Sequence, residues 1–216
     1  MTLRFELYWS FRSPYSYLAT PRIVELVQKY DLECDVRPVY PIAIRTPEFF
    51  DKVNPMWPPY LLRDTVRIAQ MHGIPYGWPR PDPVAHDMGT RSISKQQPYI
   101  HRLTRLGIAA VERGRGLPFL EHVSRTIWSG EVDGWHEGDH LARAAERAGL
   151  DLAELDEAVA KDPDHFEAVI QANQEAHAAA GHWGVPTCVF QGEPFFGQDR
   201  LDHLVWRLEQ HGLSLR

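Results

Sequence analysis

The spacing of apolar and polar residues predicts strands at the start of the chain. Leu3–Trp9 alternates apolar with polar or charged side chains, which is the pattern of a half-buried strand. From residue 14 to about residue 30 the apolar residues recur at helical spacing, and residues 32–39 are again strand-like. The chain therefore opens with a strand, a helix and a second strand, which is the start of a parallel sheet.

Helical patterns fill the middle of the chain, and strands return near its end. Prolines interrupt the pattern between Pro41 and Pro98, where one helix is predicted at residues 60–72. Five further helices are predicted at residues 99–113, 118–129, 139–148, 152–161 and 164–180. Two short strands follow, at residues 187–191 and Glu193–Phe196, and an amphipathic helix covers residues 199–211.

Strands at both ends with helices between them predict an α/β fold in which a helical insertion splits one sheet domain. We assign residues 1–50 and 181–216 to the sheet domain and residues 51–180 to the insertion. At 216 residues the chain is short enough for both parts to form one structural unit.

The charge and hydropathy of the chain argue against two classes of binding partner, nucleic acids and membranes. The formal net charge is -6 and no basic stripe is present, which argues against nucleic-acid binding. No apolar stretch approaches the length of a membrane helix, and residues 1–9 are too short and too charged for a signal peptide. We therefore expect a cytoplasmic protein that binds neither nucleic acid nor membranes.

The two cysteines do not form a redox motif. Cys34 and Cys188 lie far apart and neither belongs to a C-x-x-C sequence, which fits a reducing compartment. Both fall in predicted strands, so we expect them to be buried packing residues rather than nucleophiles.

The first candidate for chemistry is Ser13, at the junction between the first strand and the first helix. A helix N-terminus presents unpaired N–H groups and stabilises an anion, and redox thioredoxins place a cysteine there. Serine at positions 13 and 16 cannot cycle a disulfide, but the Ser13 hydroxyl can donate a hydrogen bond to a thiolate that a cofactor supplies. The alternative is that Ser13 only caps the helix in front of Pro14.

The second candidate is the run 184–187, immediately before a predicted strand. In a thioredoxin fold the peptide bond between Val185 and Pro186 is typically cis, and the backbone of the preceding residue pairs with a bound peptide. The alternative is a trans proline that simply begins the strand.

The third candidate is the turn before the last helix. Gln198, Asp199 and Arg200 lie at a helix N-terminus and can together hold an amino-carboxyl group. The alternative is a capping turn with Asp199 in the first turn of the helix.

One competing motif points to zinc. Residues 136–140 read H-E-x-x-H, which in metalloproteases lies within a helix. Here Gly134 and Gly138 interrupt the segment, and Asp139 is predicted to cap a helix that begins at His140, so His136 lies outside that helix. We expect no metal site.

Several of these runs resemble one known family. Residues 8–19 are similar to the N-terminal motif of 2-hydroxychromene-2-carboxylate isomerases and kappa-class glutathione transferases, and residues 184–187 through 196–201 are similar to their C-terminal motif. Residues 60–64, 73–75 and 127–129 also resemble the helical insertion of that family. The resemblance implies a DsbA-like thioredoxin fold, a homodimer and bound glutathione.

The resemblance also implies roles for single residues. Ser13 would hydrogen-bond the glutathione sulfur, and Val185, before Pro186, would pair with the cysteinyl backbone. The γ-glutamyl end would be held by Asp199 with Gln198. Arg200 and Asn54, which matches a Lys- and Asn-containing stretch of the family, are further candidates for binding glutathione.

The activity implied is a glutathione-dependent isomerisation of a small aromatic carboxylate. In such isomerases the thiolate is proposed to add to the chromene and open its ring; bond rotation and expulsion of the thiol then follow. Two alternatives remain open. One is a kappa-class-like transferase or peroxidase, and the other is a non-enzymatic thioredoxin-fold module that binds peptides along the edge at Val185.

Departures from the family pattern concern the second substrate. Ser10 stands where the family more often has Asp, and Arg12 stands where it often has Leu, so Arg12 either adds positive charge beside the thiolate or points to solvent. The candidate walls of an aromatic substrate pocket are Arg12, Tyr15, Trp57, Trp78 and Trp128. Packing within the insertion is the alternative for the tryptophans.

Overall fold

A mixed four-stranded sheet forms the centre of the computed structural model, which describes residues 2–86 and 92–216. Strand β1 (Leu3–Trp9) is parallel to β2 (Leu32–Pro38) and antiparallel to β3 (Thr187–Phe190), and β3 pairs with β4 (Glu193–Phe196). The strand order is β2-β1-β3-β4. The two ends of the chain therefore meet in one sheet, as predicted.

Nine α-helices are present in the described part of the chain. They are α1 (Pro14–Lys29), α2 (Ile42–Arg45), α3 (Trp57–His72), α4 (Ile100–Glu112), α5 (Gly116–Trp128), α6 (His140–Arg147), α7 (Leu152–Lys161), α8 (Pro163–Ala179) and α9 (Leu201–Glu209). Two 3-10 turns, Pro47–Lys52 and Gln198–Arg200, complete the regular structure of these residues. Helices α2 to α8 follow β2 and precede β3, so the predicted α/β order with helices inserted between strands is confirmed.

The structure differs from the predicted elements in two places. Helix α2 and the turn Pro47–Lys52 were not predicted, because such short elements leave no helical period in a proline-rich stretch. The last helix begins at Leu201, and the three residues before it form a 3-10 turn. The assignment of residues 51–180 to an insertion stays a prediction, since one apolar core runs through both parts.

Two buried tryptophans hold the segment that joins β1 to α1. The Trp9 indole N–H lies 3.1 Å from the Ser16 carbonyl and 3.0 Å from the Thr20 hydroxyl, which ties the end of β1 to the first two turns of α1. The Trp128 indole N–H donates to the Phe11 carbonyl at 2.9 Å, which ties α5 to the loop itself. The loop is therefore fixed from two sides by side chains that are fully buried.

The buried position of Trp128 predicts a large effect on stability. We expect Trp128→Phe to lower the free energy of unfolding by about 2 kcal/mol or more, because it removes a buried hydrogen bond and leaves a void. The control is Trp206→Phe on α9, where the side chain is 51% exposed and a change within about 0.5 kcal/mol is expected. Denaturant unfolding of both variants checks this, and equal losses would contradict the core assignment.

Candidate active site

Ser13 begins α1 as its N-cap. Its backbone is extended, its Oγ accepts a hydrogen bond from the Ser16 N–H at 3.1 Å, and Pro14 occupies the first helical position. The capping role predicted for Ser13 is thus confirmed. This geometry also places the Ser13 hydroxyl at the positive end of a 16-residue helix, where partial charge of about half a unit favours an anion.

The loop before β3 lies opposite Ser13. The Val185–Pro186 peptide bond is cis, which decides between the cis and trans alternatives that the sequence left open. The Ser13 hydroxyl donates to the Val185 carbonyl at 3.2 Å, while the Val185 N–H has no hydrogen-bond partner among the described residues. Two backbone groups of Val185 and one side-chain hydroxyl therefore form a polar edge.

This polar edge belongs to a cleft of about 330 Å³. The volume falls in the usual range of small-molecule sites, about 300 to 1,000 Å³. The remaining walls are mainly apolar and include six aromatic side chains, Tyr15, Phe49, Phe50, Trp57, Trp183 and Phe196. The cleft therefore combines one polar edge with aromatic surface suited to a planar ring.

Arg12 lines the cleft as one half of an ion pair. Its guanidinium makes two hydrogen bonds to the Asp82 carboxylate, at 3.2 and 3.1 Å, and lies 5.3 Å from the centre of the Trp78 ring. Both charged side chains are largely buried. Arg12 therefore does not point to solvent, and Asp82 balances its charge beside the cleft.

Tyr15 and Trp57, two of the residues predicted to wall a substrate pocket, both line the cleft. The Tyr15 hydroxyl donates to the Asp64 carboxylate at 2.9 Å, and burial together with Asp64 raises the pKa of Tyr15, so its phenol stays protonated. Trp57 at the start of α3 is 40% exposed and lines the cleft. The prediction that Trp128 walls a substrate pocket is wrong. Its side chain is fully buried and lines neither this cleft nor the cavity that adjoins it at Trp57 and Trp78, so Trp128 is a core residue.

The residues expected at the γ-glutamyl end lie beside the cleft rather than in its wall. The Gly197 N–H donates to the Pro186 carbonyl at 2.9 Å, which places the following turn next to the cis proline. Gln198 is buried, and its backbone and side-chain oxygens accept hydrogen bonds from Arg22 at 2.8 and 3.3 Å. Asp199 and Arg200 are exposed and form an ion pair with each other at 2.7 Å.

Asn54 is separate from this group. It is exposed, its side-chain oxygen accepts a hydrogen bond from the Met56 N–H at 3.0 Å, and it does not line the cleft. The structure thus brings Ser13 and Val185 together, with the turn at 198–200 adjacent, and leaves Asn54 apart. The binding roles of these residues stay predictions.

Arg45 is a cleft residue that sequence reasoning missed. Its Nε–H donates to the Tyr40 carbonyl at 2.7 Å and its Nη2 to the Trp183 carbonyl at 2.8 Å. No carboxylate pairs with it in the described part of the chain, and burial lowers its pKa. The one signal available in the sequence was an arginine shortly after the second strand, which becomes meaningful only once α2 is known.

Neither cysteine can act in this cleft. Cys188 is buried in β3 and Cys34 is half-buried in β2, and neither lines the cleft. Burial raises the pKa of Cys188 to about 12 and raises the pKa of Cys34 well above its usual value. Ser16, where a redox motif has its second cysteine, has a buried hydroxyl with no hydrogen-bond partner among the described residues. The site therefore has hydroxyl rather than thiol chemistry of its own.

The H-E-x-x-H segment does not lie within one helix. His140 is the first residue of α6, whereas His136 precedes the helix and packs against Tyr99 and Trp135. Asp139 occupies the N-cap position but makes no capping hydrogen bond; it pairs instead with Arg143. Over residues 2–86 and 92–216 no three potential ligands cluster in a way that could hold a metal ion.

A search of the described helices for membrane spans gave a negative result. None combines the length and the apolar character that crossing a membrane requires.

Comparison with known proteins gives the family of the fold. The family model described as a DSBA-like thioredoxin domain matches residues 4–209. A search of curated proteins gave no match.

Several solved structures are similar to this one. A 2-hydroxychromene-2-carboxylate isomerase aligns with a TM-score of 0.71 at 21% identity, covering 96% of this chain and 95% of that one. A probable DsbA oxidoreductase from Streptomyces coelicolor aligns with a TM-score of 0.66 at 20% identity, covering 96% and 89%. The cytosolic disulfide reductase DsbM from Pseudomonas aeruginosa, in its structure with GSH, gives 0.58 at 16% identity, covering 96% and 100%. At these identities the likeness establishes the fold alone.

The environments of the thiols predict their reactivity. We expect Cys34 and Cys188 to react with a thiol reagent at neutral pH at least about tenfold more slowly in the native than in the denatured protein, because their raised pKa values leave little thiolate. In the control variant Ser13→Cys, the new thiol at the N-terminus of α1 is expected to react faster than both. A native thiol in the unmodified protein that reacts as fast as a free cysteine would contradict this.

Proposed function

The chain belongs to the DSBA-like thioredoxin domain family, and from that premise we propose that it is a glutathione-dependent isomerase of the 2-hydroxychromene-2-carboxylate type. The observation that carries the proposal is the hydroxyl of Ser13 at the N-terminus of α1, opposite the Val185 carbonyl. A disulfide oxidoreductase needs sulfur at that position, and this chain has none there.

The donor set around Ser13 fits a thiol supplied from outside. The hydroxyl carries one proton, so it cannot donate to the Val185 carbonyl and to a thiolate at once. When the proton turns toward a thiolate, the Val185 carbonyl is released to accept from a peptide N–H, and the Val185 N–H is already unpaired. One rotation of the hydroxyl therefore prepares both the sulfur site and the backbone site.

Glutathione, when bound, would supply a nucleophilic thiolate that is regenerated in each turnover. The residues that would hold it are Ser13 at the sulfur, Val185 at the cysteinyl backbone, and Gln198 with Asp199 near the γ-glutamyl end. Ser13 adds a hydrogen bond to the negative sulfur without adding a second charge, and the helix N-terminus contributes its partial positive charge.

The aromatic walls support a planar aromatic carboxylate as the second substrate. Phe50 and Trp57 are shared between the cleft at Ser13 and an adjoining cavity, and Trp78 lines that cavity with Arg12 above its ring. A ring stacked there would lie next to the thiolate position, which favours addition at a carbon of the ring. A kappa-class-like transferase or peroxidase is the second candidate, because the same thiolate site serves it.

We extend the proposal to location and assembly. The two cysteines, half-buried Cys34 and buried Cys188, form no disulfide, which fits the reducing cytoplasm. The resemblance of the end motifs implies a homodimer.

Binding of reduced glutathione tests the cofactor. We expect one-site binding in a calorimetric titration, weakened about tenfold or more in Ser13→Ala because a hydrogen bond to a charged sulfur is lost. The matched control is Ser16→Ala, three residues along α1, whose hydroxyl is buried and unpaired and should leave the affinity unchanged. No binding at millimolar glutathione would contradict both enzymatic proposals and favour the peptide-binding module.

The fate of the thiol distinguishes isomerase from transferase. With 2-hydroxychromene-2-carboxylate and a small amount of glutathione, we expect product to form while free thiol stays constant. Turnover in Ser13→Ala should fall by at least about tenfold, because the developing charge on sulfur loses its donor. Loss of one thiol for each product molecule would instead identify a transferase.

A further inference from the structure

Arg45 is a cation that faces the cleft without a carboxylate of its own. The guanidinium has five N–H donors and uses two of them, for the carbonyls of Tyr40 and Trp183, so three remain. Arg12, the other arginine of the cleft, is already paired with Asp82. A half-buried arginine held in place by backbone carbonyls and left unpaired is prepared to bind a carboxylate in two-point fashion.

The two histidines near Arg45, His177 and His182, carry no positive charge at neutral pH, so Arg45 is the cation at this end of the cleft. His177 on α8 stacks on Tyr8 with ring centres 4.6 Å apart, and burial, with a smaller contribution from Arg45, lowers the pKa of His177 to about 4. His182 stacks on Phe196, and burial lowers its pKa as well. Both imidazoles are therefore neutral at neutral pH, and neither competes with Arg45 for an anion.

The position of Arg45 along the cleft is set by the loop before β3. Arg45 contacts the carbonyl of Trp183, two residues before Val185, whereas Gly197 contacts the carbonyl of Pro186, on the other side of Val185. The turn assigned to the γ-glutamyl end follows Gly197. Arg45 and that turn therefore contact this loop at carbonyls on either side of Val185, the residue at which the cysteinyl backbone would bind.

We propose that Arg45 binds the glycyl carboxylate of glutathione. The proposal rests on the proposed function, since it takes the cysteinyl residue at Val185 as its reference point. In an extended peptide that carboxylate lies about 7 Å beyond the cysteinyl backbone, which matches the two-residue separation of Trp183 from Val185. With Arg45, the site would bind both charged ends of the tripeptide. The aromatic walls of the cleft would then remain free for the second substrate.

The test compares glutathione with its ethyl ester at the glycyl carboxylate, by calorimetric titration. Wild-type protein is expected to bind glutathione at least about tenfold more tightly than the ester, because an arginine–carboxylate pair is lost. In Arg45→Met the two affinities should become equal, and in Arg45→Lys part of the preference should return. Each ratio is measured within one protein, so a general weakening of the loop cancels.

Two outcomes would overturn the proposal. If wild-type protein binds glutathione and Arg45→Met keeps the wild-type ratio, Arg45 does not read the glycyl carboxylate; a raised KM for the aromatic carboxylate in that variant would assign it to the second substrate instead. If wild-type protein binds no glutathione, this proposal and the proposed function both fail. Should Arg45→Met not fold, Arg45→Gln, which keeps an N–H donor for the backbone carbonyls, serves the same comparison.

Discussion

The hydrogen bond from the Ser13 hydroxyl to the Val185 carbonyl is the contact on which the site depends. It joins residues 172 positions apart, and it forms because β1 and β3 are neighbours in the sheet, so that the loops at their ends meet. Trp9 and Trp128 fix the loop between β1 and α1, which carries Ser13, through their indole N–H groups. In the loop before β3, the cis bond at Pro186 presents the Val185 backbone to the cleft. Sheet order and core packing thus determine where the hydroxyl lies.

Charge within the cleft is divided among few groups. The thiols of Cys34 and Cys188 are kept protonated by burial and lie outside the cleft, so they do not compete with a bound thiol. Arg12 is balanced by Asp82, which leaves Arg45 as the cleft arginine without a carboxylate among the described residues. A polar edge at Ser13, a cation at one end and aromatic walls elsewhere suit a small thiol peptide beside an aromatic ring.

The sequence predicted structural features that depend on residues close together in the chain. It did not predict features that depend on contacts between residues far apart in the chain. Ser13 before Pro14 predicted the start of α1, because capping and a fixed proline φ act within one turn. The burial of Trp128 and the contact of Gln198 with Arg22, 176 positions away, arise from tertiary packing that no local pattern contains. Arg45 was missed for the same reason, since its partners are backbone carbonyls brought to it by the fold.

The pKa of the glutathione thiol in its complex with the protein tests the central claim most directly. Thiolate absorbance would be followed over pH with saturating protein, using the complex with S-methylglutathione as the blank. We expect a pKa at least about one unit below that of free glutathione, with part of that shift lost in Ser13→Ala. A bound thiol with the pKa of the free peptide would contradict the claim that Ser13 and the N-terminus of α1 stabilise a borrowed thiolate.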